Sequence, residues 1–317
     1  MQQFQGVMDP ETIQTLLKAG KVAAQVRRET AQKLSKPGTS FLQAMDFAEE
    51  RILKLGGEIA WAQMGVNEVA AHFCPEENDL GRSKESDLIK VDIGVHLDGW
   101  IADNAMTVIV GNGGNMGHGS SSEHNNLLKA SQNALKAALK LVRPGVPLWQ
   151  LGEAQYSEAE ALGFTTVKNL CGHTLERYKV HAGISIPTFN NKDKTELQEG
   201  WQVAIEPFVT NGQGYIKEKQ PATVFMVEKE KGVRSPYARK ILEEMKPRKT
   251  LPFTLRWLTR KFGSGIKLGL RELQQLQIVR PYPPLAEISG GMVAQFEHAA
   301  IVKDKPLVYT RHEEDEW

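Results

Sequence analysis

The sequence has few cysteines, no excess of charge of either sign and no long apolar run. Its 317 residues include only two cysteines, Cys74 and Cys171, which excludes a disulfide scaffold and fits a reducing compartment. The formal net charge is +1, so composition gives no electrostatic case for a nucleic acid as the main partner. No apolar stretch approaches the roughly 20 residues of a membrane span, and the start (MQQFQGVMDPETIQ) lacks the pattern of a signal peptide. We therefore expect a soluble cytoplasmic protein that makes no contact with a membrane.

Repeated helix boundaries predict that the chain consists of two related halves. Amphipathic spacing predicts helices over about 10–36, 39–55, 123–142 and 147–162. Apolar runs predict strands over 58–62, 66–70, 202–208 and 292–302, among others. The turn Lys36-Pro37-Gly38 recurs as Arg143-Pro144-Gly145, 107 residues later, and the Leu-Gly pairs at 55–56 and 162–163 have the same offset. Two α+β halves that pack together would leave a cleft between them as the natural site.

The stretch LIKVDIGVHLDGWIADNAMTVIVG (88–111) predicts a β-hairpin that carries two carboxylates on one face. Asp98-Gly99 suits a two-residue turn, and closing the hairpin there places Gly94 opposite Asp103. Asp92 lies two residues before Gly94, on the same face and within diagonal reach of Asp103. Two such charges in a partly buried site repel unless a cation lies between them. We predict half of a metal site, in which Gly94 leaves room for the metal; the alternative is an exposed polar face.

More ionisable residues interrupt apolar segments in the second half of the chain. Glu206 lies in VAIEPF and Glu297 in AQFEHAA, while His173 and His181 lie in GHTLERYKVHAG. Charged residues within buried strands are rarely tolerated unless they are paired or bind a metal. Alone, each would more often be a salt-bridged core acid or a core histidine. Together, four carboxylates and an imidazole form a hard donor set that suits two divalent ions ~3.5–4 Å apart.

A basic segment late in the chain predicts an inserted subdomain. Residues 229–280 hold 14 Lys and Arg against 4 Asp and Glu. Their apolar residues recur at helical spacing and predict short helices over 237–245, 253–262 and 266–276. The main domain would then comprise 1–228 and 281–317. Clustered Lys and Arg can contact phosphates, although an ordinary solvated helical face is the simpler interpretation.

The motifs in these segments resemble those of the methionine aminopeptidases of peptidase family M24, in the type 2 form of archaea and eukaryotes. The segments that carry the resemblance are NEVAAHFCP (67–75), VDIGVHLDGWIADNAMTV (91–108), GHTLERYKVHAGISIP (172–187), AIEPF (204–208) and YPPLAEISGGMVAQFEHAAIV (282–302). The resemblance implies the pita-bread fold, an α+β architecture of two pseudo-twofold halves around a dinuclear metal site. It also implies a helical, winged-helix-like insertion before the last metal-binding Glu.

The resemblance implies a complete set of metal ligands. They are Asp92, Asp103, His173, Glu206 and Glu297. Asp103 and Glu297 would bridge two divalent ions, Asp92 would chelate one, and the other two residues would complete the second. The ions could be Co, Mn, Fe, Zn or Ni, since an oxygen-rich site accepts several divalent metals.

The resemblance also implies the reaction, removal of an N-terminal methionine by attack of metal-activated water on the first peptide bond. Glu206 would carry the proton, and His181 would hydrogen-bond the scissile carbonyl and stabilise its developing charge. His72 would hold the peptide near its new amino end. Phe208 and Tyr282 would line the pocket for the methionine side chain, although either could be plain core.

The chain departs from the family pattern at two places. Where the family has a Phe-Pro-x-Asn type segment that walls the side-chain pocket, this chain has Trp61-Ala62-Gln63-Met64, so substrate preference is open there. Cys74 and Cys171 replace hydroxyl or amide residues, each two residues from a histidine of the site. They would be small fillers or, less expectedly, an oxidation-sensitive pair.

Two other functions remain as alternatives. An X-Pro aminopeptidase or prolidase uses a similar ligand set but usually adds an N-terminal domain, for which there is little room before the hairpin. A non-catalytic pita-bread protein that binds RNA would typically lose ligands, and here all five are present. The implied partner is a nascent chain that starts with Met and a small second residue, bound by a monomeric enzyme. A ribosome contact through Arg248, Lys249, Arg260 and Lys261 is a further hypothesis.

Overall fold

The structure, a computed structural model, describes residues 8–111 and 122–315. The α-helices are α1 Pro10–Leu34, α2 Phe41–Lys54, α3 Ser122–Leu139, α4 Leu148–Glu160, α5 Pro236–Met245, α6 Leu255–Phe262 and α7 Ile266–Gln275. The strands are β1 Glu58–Val66, β2 Val69–Ala71, β3 Leu88–Leu97, β4 Trp100–Ile109, β5 Thr165–Thr166, β6 Gly172–Leu175, β7 Ser185–Ile186, β8 Gln202–Ile205, β9 Phe208–Thr210, β10 Ile216–Glu218, β11 Val224–Val227, β12 Phe253–Thr254, β13 Val279–Tyr282, β14 Leu285–Glu287, β15 Val293–Gln295, β16 Glu297–Ile301 and β17 Leu307–Val308. No helix in the described part of the chain is long and apolar enough to cross a membrane.

One antiparallel sheet, with strands from both halves of the chain, joins the two halves of the molecule. Its strand order is β1-β3-β4-β16-β8-β6-β7, with β17 paired to β16, and neighbouring strands are antiparallel. Helices α1 and α2 bury their apolar faces against the first three strands, while α3 and α4 pack against β8 and β16. Each half therefore has its own core of helix on sheet, and the sheet is continuous across the boundary.

The predicted repeat is confirmed by the conformation of the turns that end the helices. Gly38 and Gly145 have φ of 82° and 80°, and Gly56 and Gly163 have φ of 82° and 81°. A left-handed residue after a helix is most easily a glycine, because it has no Cβ to clash with the backbone. A left-handed glycine thus lies in the turn that follows α1 and in the turn that follows α3, and the same holds after α2 and α4.

The prediction of two short strands over 58–62 and 66–70 was right in number but wrong in its bounds. The chain instead forms one long strand, β1, which pairs with β3 over its whole length, and a separate short β2. Gly65 makes this compact arrangement possible, because a Cβ there would lie only 2.3 Å from the carbonyl oxygen of Val69. Strand β1 thereby becomes a third strand beside the predicted hairpin.

The predicted single strands over 202–208 and 292–302 are each broken in the middle. The first is divided at Glu206-Pro207 into β8 and β9, since Pro207 has no N–H to donate to a sheet ladder. The second is divided at Phe296 into β15 and β16. In both cases one piece belongs to the central sheet and the other to the small sheet β15-β9-β5. Glu206 and Glu297 therefore lie where the chain passes from one sheet to another.

The insertion forms a small unit around its own core. Helices α5, α6 and α7 pack with the antiparallel sheet β12-β11-β13, close to the three helices predicted. The core includes Phe225, which precedes the predicted start of the insertion at residue 229. We therefore propose that the unit extends outward to include β11 and all of β13; the division of the chain into two domains otherwise stays a prediction.

A buried ion pair fastens the insertion to the main domain. Arg256 of α6 is inaccessible to solvent, and its guanidinium pairs with Glu49 of α2 and lies 3.3 Å from Asp46. It also donates to the carbonyl oxygen of Pro75 at 3.1 Å. Because Pro75 closely follows His72, the insertion directly supports a loop that carries a predicted site residue.

The four cations proposed for an RNA contact are all engaged within the molecule. Arg248 donates to the carbonyl oxygens of Ile59 and Ala60, and Lys249 lies over the ring of Tyr178. Arg260 pairs with the carboxylates of Asp46 and Glu77, and Lys261 pairs with that of Glu244. Much of the positive charge of the insertion thus faces acids of this same chain. The Lys261 side chain is nevertheless 57% exposed, so a contact of these cations with phosphates stays a prediction.

Candidate metal centre

Five neighbouring strands of the central sheet each bring one ionisable residue to the same place. The five are Asp92 on β3, Asp103 on β4, Glu297 on β16, Glu206 directly after β8 and His173 on β6. The register explains their meeting, because Asp92 and Glu297 both pair with Ala105, from opposite sides. His173 pairs with Ala204, two residues before Glu206. The five predicted ligands therefore form a row across the strands, and the pairing of Gly94 with Asp103 is as predicted.

The side chains in this row lie close to one another. Nε2 of His173 is 3.6 Å from Oδ2 of Asp103 and 3.5 Å from Oε1 of Glu206. Asp103, His173 and Glu297 each offer one ligand atom, and these three atoms lie within 4.8 Å of one another. Nδ1 of His173 faces the carbonyl oxygen of Thr174 at 3.4 Å, which favours a proton on Nδ1 and leaves the Nε2 lone pair directed at the carboxylates.

Burial makes this group of acids unfavourable without a cation. It raises the pKa of Asp92 to about 7, although the Trp61 hydrogen bond opposes the shift. The pKa values of Asp103, Glu206 and Glu297 are raised well above their usual range, first by burial and then by the neighbouring carboxylates. Burial also lowers the pKa of His173 to about 3, so its imidazole is neutral at physiological pH.

The donor set fits a divalent metal. Oε1 of Glu297 is buried and has no hydrogen-bond partner among the described residues, and such an acceptor is costly to leave unsatisfied. Carboxylate oxygens with one neutral imidazole are ligands that Mn, Fe, Co, Ni and Zn all accept. A cation among these atoms would satisfy the free oxygen and relieve the repulsion between the acids.

The remaining predicted residues surround the same space. A cavity of about 320 Å³ lies over the row of donors, and its lining includes His72, His181, Phe208 and Tyr282. The His181 ring packs edge-on against His173 with 4.5 Å between centroids, and His72 packs edge-on against Tyr282 at 5.5 Å. Burial lowers the pKa of His72 to about 4 and also lowers that of His181. Both imidazoles are therefore neutral and can each donate one N–H.

His72 is held in an unusual backbone conformation. Its φ is 63°, in the left-handed region that costs a residue with a Cβ about 1–2 kcal/mol. It lies between β2 and Phe73, whose backbone bonds with Met64 in both directions at 2.9 and 3.2 Å. These bonds fix the chain after His72, and the pairing of Ala71 with Leu285 of β14 fixes it before His72, so the surrounding structure determines where the imidazole points.

The prediction that Gly94 leaves room for a metal was wrong, because an indole takes that room. Trp61 pairs with Gly94 across β1 and β3, and a Cβ on Gly94 would lie 2.3 Å from its ring. The indole N–H of Trp61 donates to Oδ1 of Asp92 at 2.6 Å. The Trp61 indole thus fills the space above Gly94 and contacts Asp92, at one end of the row of donors.

Sequence reasoning missed several residues that line or brace the cavity. Gln63, in the segment that the resemblance places at the pocket wall without a role for this residue, lines the cavity from β1, opposite Asp92. Nε2 of Gln295 lies 3.2 Å from Glu206 and 3.5 Å from Glu297. Met226 and Pro252 come from the inserted unit. No local pattern marks the last three, because each reaches the site only through tertiary packing.

The two cysteines do not form a pair. Both are free thiols, and Cys74 is buried, with its S–H directed at the carbonyl oxygen of Ala62 at 3.6 Å. Burial raises the pKa of Cys74 to about 12, which keeps it unreactive. Cys171 lines the cavity and is half-buried. Cys74 is the small filler that the sequence analysis favoured.

Comparisons with known proteins agree with this architecture. A family model described as metallopeptidase family M24 matches residues 14–297. The chain is 43% identical over 302 residues to the methionine aminopeptidase of the archaeon Pyrococcus horikoshii, covering 94% of this chain and 99% of that protein. A thermophilic Arx1 structure has a TM-score of 0.84 at 16% identity, covering 94% of this chain and 90% of that one. The methionine aminopeptidase structure from Thermotoga maritima has a TM-score of 0.70 at 21% identity, covering 97% and 99%.

Because the two solved structures are only 16% and 21% identical to this chain, they show the fold alone. They support the pita-bread architecture predicted from the motifs, with two related halves around a central sheet. The family match and the relative from Pyrococcus horikoshii go further, since each covers nearly the whole chain, and the archaeal source fits the type 2 form. The chain belongs to metallopeptidase family M24 and, within it, to the methionine aminopeptidases.

Proposed function

We propose that the protein removes the N-terminal methionine from nascent proteins and peptides by hydrolysis of the first peptide bond. The observation that carries the proposal is the row of four carboxylates and one neutral imidazole at the base of the 320 Å³ cavity. A cavity with a few convergent polar groups and apolar walls is the usual form of a small-ligand site. Its donors suit metal-assisted hydrolysis, and the relatives named above are methionine aminopeptidases.

The metal ligands in this proposal are Asp92, Asp103, His173, Glu206 and Glu297. We propose that they hold two divalent ions, drawn from Co, Mn, Fe, Zn and Ni. When bound, such ions lower the pKa of water to near neutrality and so supply a nucleophile without a strong base. The number of donors supports two ions, since five side chains with nine ligand atoms exceed what one ion needs.

The residues around the donors have distinct roles in the proposal. Glu206 accepts a proton from the attacking water and passes it to the leaving amine. The hydrogen bond that Gln295 donates to Glu206 keeps this carboxylate oriented. His181, neutral and carrying an N–H, donates to the oxygen of the scissile carbonyl as charge develops there. His72 holds the peptide at the new amino end. Each of these groups lines the cavity.

The apolar walls supply the pocket for the methionine side chain. Phe208 is buried with 2% of its surface exposed, and Tyr282, Met226 and Pro252 close the cavity from the side of the inserted unit. We propose that these four residues contact the thioether chain. The preference for a small second residue stays a prediction.

The decisive experiment uses metal-stripped protein and two peptides. Met-Ala-Ser and an Ala-Pro peptide are incubated with the protein after single divalent metals are added back. We expect methionine release from Met-Ala-Ser and little cleavage of the Ala-Pro peptide. Glu206→Gln should lower kcat by roughly 10²–10⁴, while Glu199→Gln, at an exposed position, should leave it unchanged.

The same experiment separates the alternatives. Cleavage of only the Ala-Pro peptide would replace the proposal with an X-Pro aminopeptidase. Absence of any cleavage with every metal would favour a non-catalytic member of the fold. Metal analysis of the loaded protein, by mass spectrometry of the elements, would give the number of ions per chain.

Partners beyond the peptide stay predictions. We propose a monomer that acts in the cytoplasm, on nascent chains that leave the ribosome. If the insertion contacts ribosomal RNA, exposed cations such as Arg239 and Lys240, which have no ion-pair partner among the described residues, are better placed than the four first considered. Unchanged co-sedimentation of Arg239→Gln/Lys240→Gln protein with ribosomes would argue against that contact.

A further inference from the structure

The indole of Trp61 makes a directed contact with one of the proposed metal ligands. Its N–H donates to Oδ1 of Asp92 at 2.6 Å, and the side chain is nearly inaccessible, with 4% of its surface exposed. An indole has a single donor and no acceptor, so this hydrogen bond fixes the orientation of the ring and of the carboxylate together. A donor on an ionised oxygen is a strong, short bond.

Gly94 makes this placement possible. The indole lies directly over Gly94, and any Cβ there would come within 2.3–2.6 Å of three of its ring atoms. The missing side chain therefore admits the indole to the face of β3 that carries Asp92. Replacing the glycine would push the ring away from Asp92.

The inserted unit holds the strand segment that carries Trp61. The register of β1 on β3 shifts between Ile59 and Trp61, so Ala60 is the extra residue of a β-bulge, a feature that re-aims the side chains beside it. The guanidinium of Arg248 donates to the carbonyl oxygens of Ile59 at 2.9 Å and Ala60 at 2.7 Å. A cation from the insertion thus fixes the bulge that turns Trp61 toward Asp92.

We infer that Trp61 is a positioning residue for the metal centre: it orients Asp92 for its ion, and the insertion supports it through Arg248. The inference rests on the metal site of the proposed function. It assigns a role, the orientation of a metal ligand, to Trp61 in the segment Trp61-Ala62-Gln63-Met64, which departs from the family pattern. Groups that hold a metal ligand in place contribute strongly to metal affinity, and their loss typically weakens binding 10–100-fold.

The test compares metal binding by full-length, metal-stripped variants. Trp61→Phe keeps an aromatic ring and removes the donor, and Trp201→Phe is the matched control, since Trp201 does not line the cavity. Calorimetric titration with Mn(II) should give about 10–100-fold weaker binding for Trp61→Phe and an unchanged affinity for Trp201→Phe. The visible absorption spectrum of the Co(II)-loaded protein should also change only in Trp61→Phe, because a residue that merely fills space would not alter the ligand field.

A second variant breaks the same contact from the other side. Gly94→Ala is expected to displace the indole and weaken Mn(II) binding in the same range, so a folding defect in one variant does not remove the test. Affinity within twofold of wild type and an unaltered Co(II) spectrum in either folded variant would overturn the inference. Methionine release by the wild type in that case would leave the proposed function intact, whereas tight metal binding by the wild type without methionine release would count against the function alone.

Discussion

At the residue scale, the acids of the metal centre hold protons that a cation must displace. Burial raises the pKa of Asp92 to about 7 and raises those of Asp103, Glu206 and Glu297 well above their usual range. His173, with a pKa of about 3, is already neutral and releases none. Metal binding at neutral pH is therefore coupled to proton release from the carboxylates.

This coupling predicts that metal affinity rises with pH. Only the ionised carboxylates bind the ion, so raising the pH from 6 to 8, through the pKa of Asp92, should strengthen binding. We expect at least one proton released per chain at pH 7. Titration with Mn(II) by calorimetry in two buffers of different ionisation enthalpy measures that number, and heats that do not depend on the buffer would contradict the prediction.

The five donors were predictable as a set, because each interrupts an apolar segment and five such interruptions together call for a common cause. An acid flanked by apolar residues within a strand, as Glu206 and Glu297 are, calls for a partner that local sequence does not supply. Trp61 makes no such interruption, since an aromatic residue is ordinary in a buried strand. Its role depends on the bulge at Ala60 and on the glycine across the strand, and neither can be deduced without the register.

At the scale of elements, the contact between α6 and α2 depends on a buried pair of charges. Arg256 is inaccessible to solvent, and Glu49 retains 7% of its surface; burial raises the pKa of Glu49, an effect that the charge of Arg256 opposes. Nearby, Arg260 pairs with Asp46 at 2.7 Å, and 36% of the Arg260 side chain is exposed. The two arginines therefore offer a matched comparison of a buried and an exposed pair on one helix.

We predict that Arg256→Met lowers the free energy of unfolding by about 3–5 kcal/mol, because it leaves the buried Glu49 without its charged partner. Arg260→Met should lower it by about 1 kcal/mol or less, as is usual for exposed pairs. Urea unfolding followed by circular dichroism measures both. Similar losses in the two variants would show that the buried pair has no special part in holding the insertion.

The elements themselves were largely predictable from periodicity and turn residues, with errors at specific places. The sequence predicts unbroken strands through Glu206-Pro207 and through Phe296, because apolar residues continue on both sides. The chain changes sheets at these points, and a change of sheet leaves no mark on a run of apolar residues. The core of the insertion reaches back to Phe225 for the same reason, since tertiary packing and not composition sets that boundary.

At the scale of the whole molecule, the proposed ligands come from both halves. Asp92 and Asp103 belong to the hairpin of the first half, and His173, Glu206 and Glu297 to the second. A bound ion would link the halves and stabilise the native state, by about 2.7 kcal/mol at a free concentration of 100 times Kd.

We predict that Mn(II) raises the unfolding temperature of the wild type and that a ligand lost from either half removes most of this shift. Asp92→Asn and His173→Asn are the matched variants, one from each half. Differential scanning calorimetry with and without Mn(II) measures the shift. Equal stabilisation of the wild type and both variants would place the ion elsewhere.

The repeat also bears on why the two halves lie in one polypeptide. The two halves share their helical turns down to the backbone angles of paired glycines, yet they contribute different chemistry to the centre. Of the five proposed ligands, two copies of the first half would bring together four aspartates and no ligand histidine, whereas two copies of the second would bring two ligand histidines and four glutamates. Only the unlike pairing yields the observed row of donors. Joining the halves in one polypeptide guarantees that pairing, which free exchange between separate subunits could not.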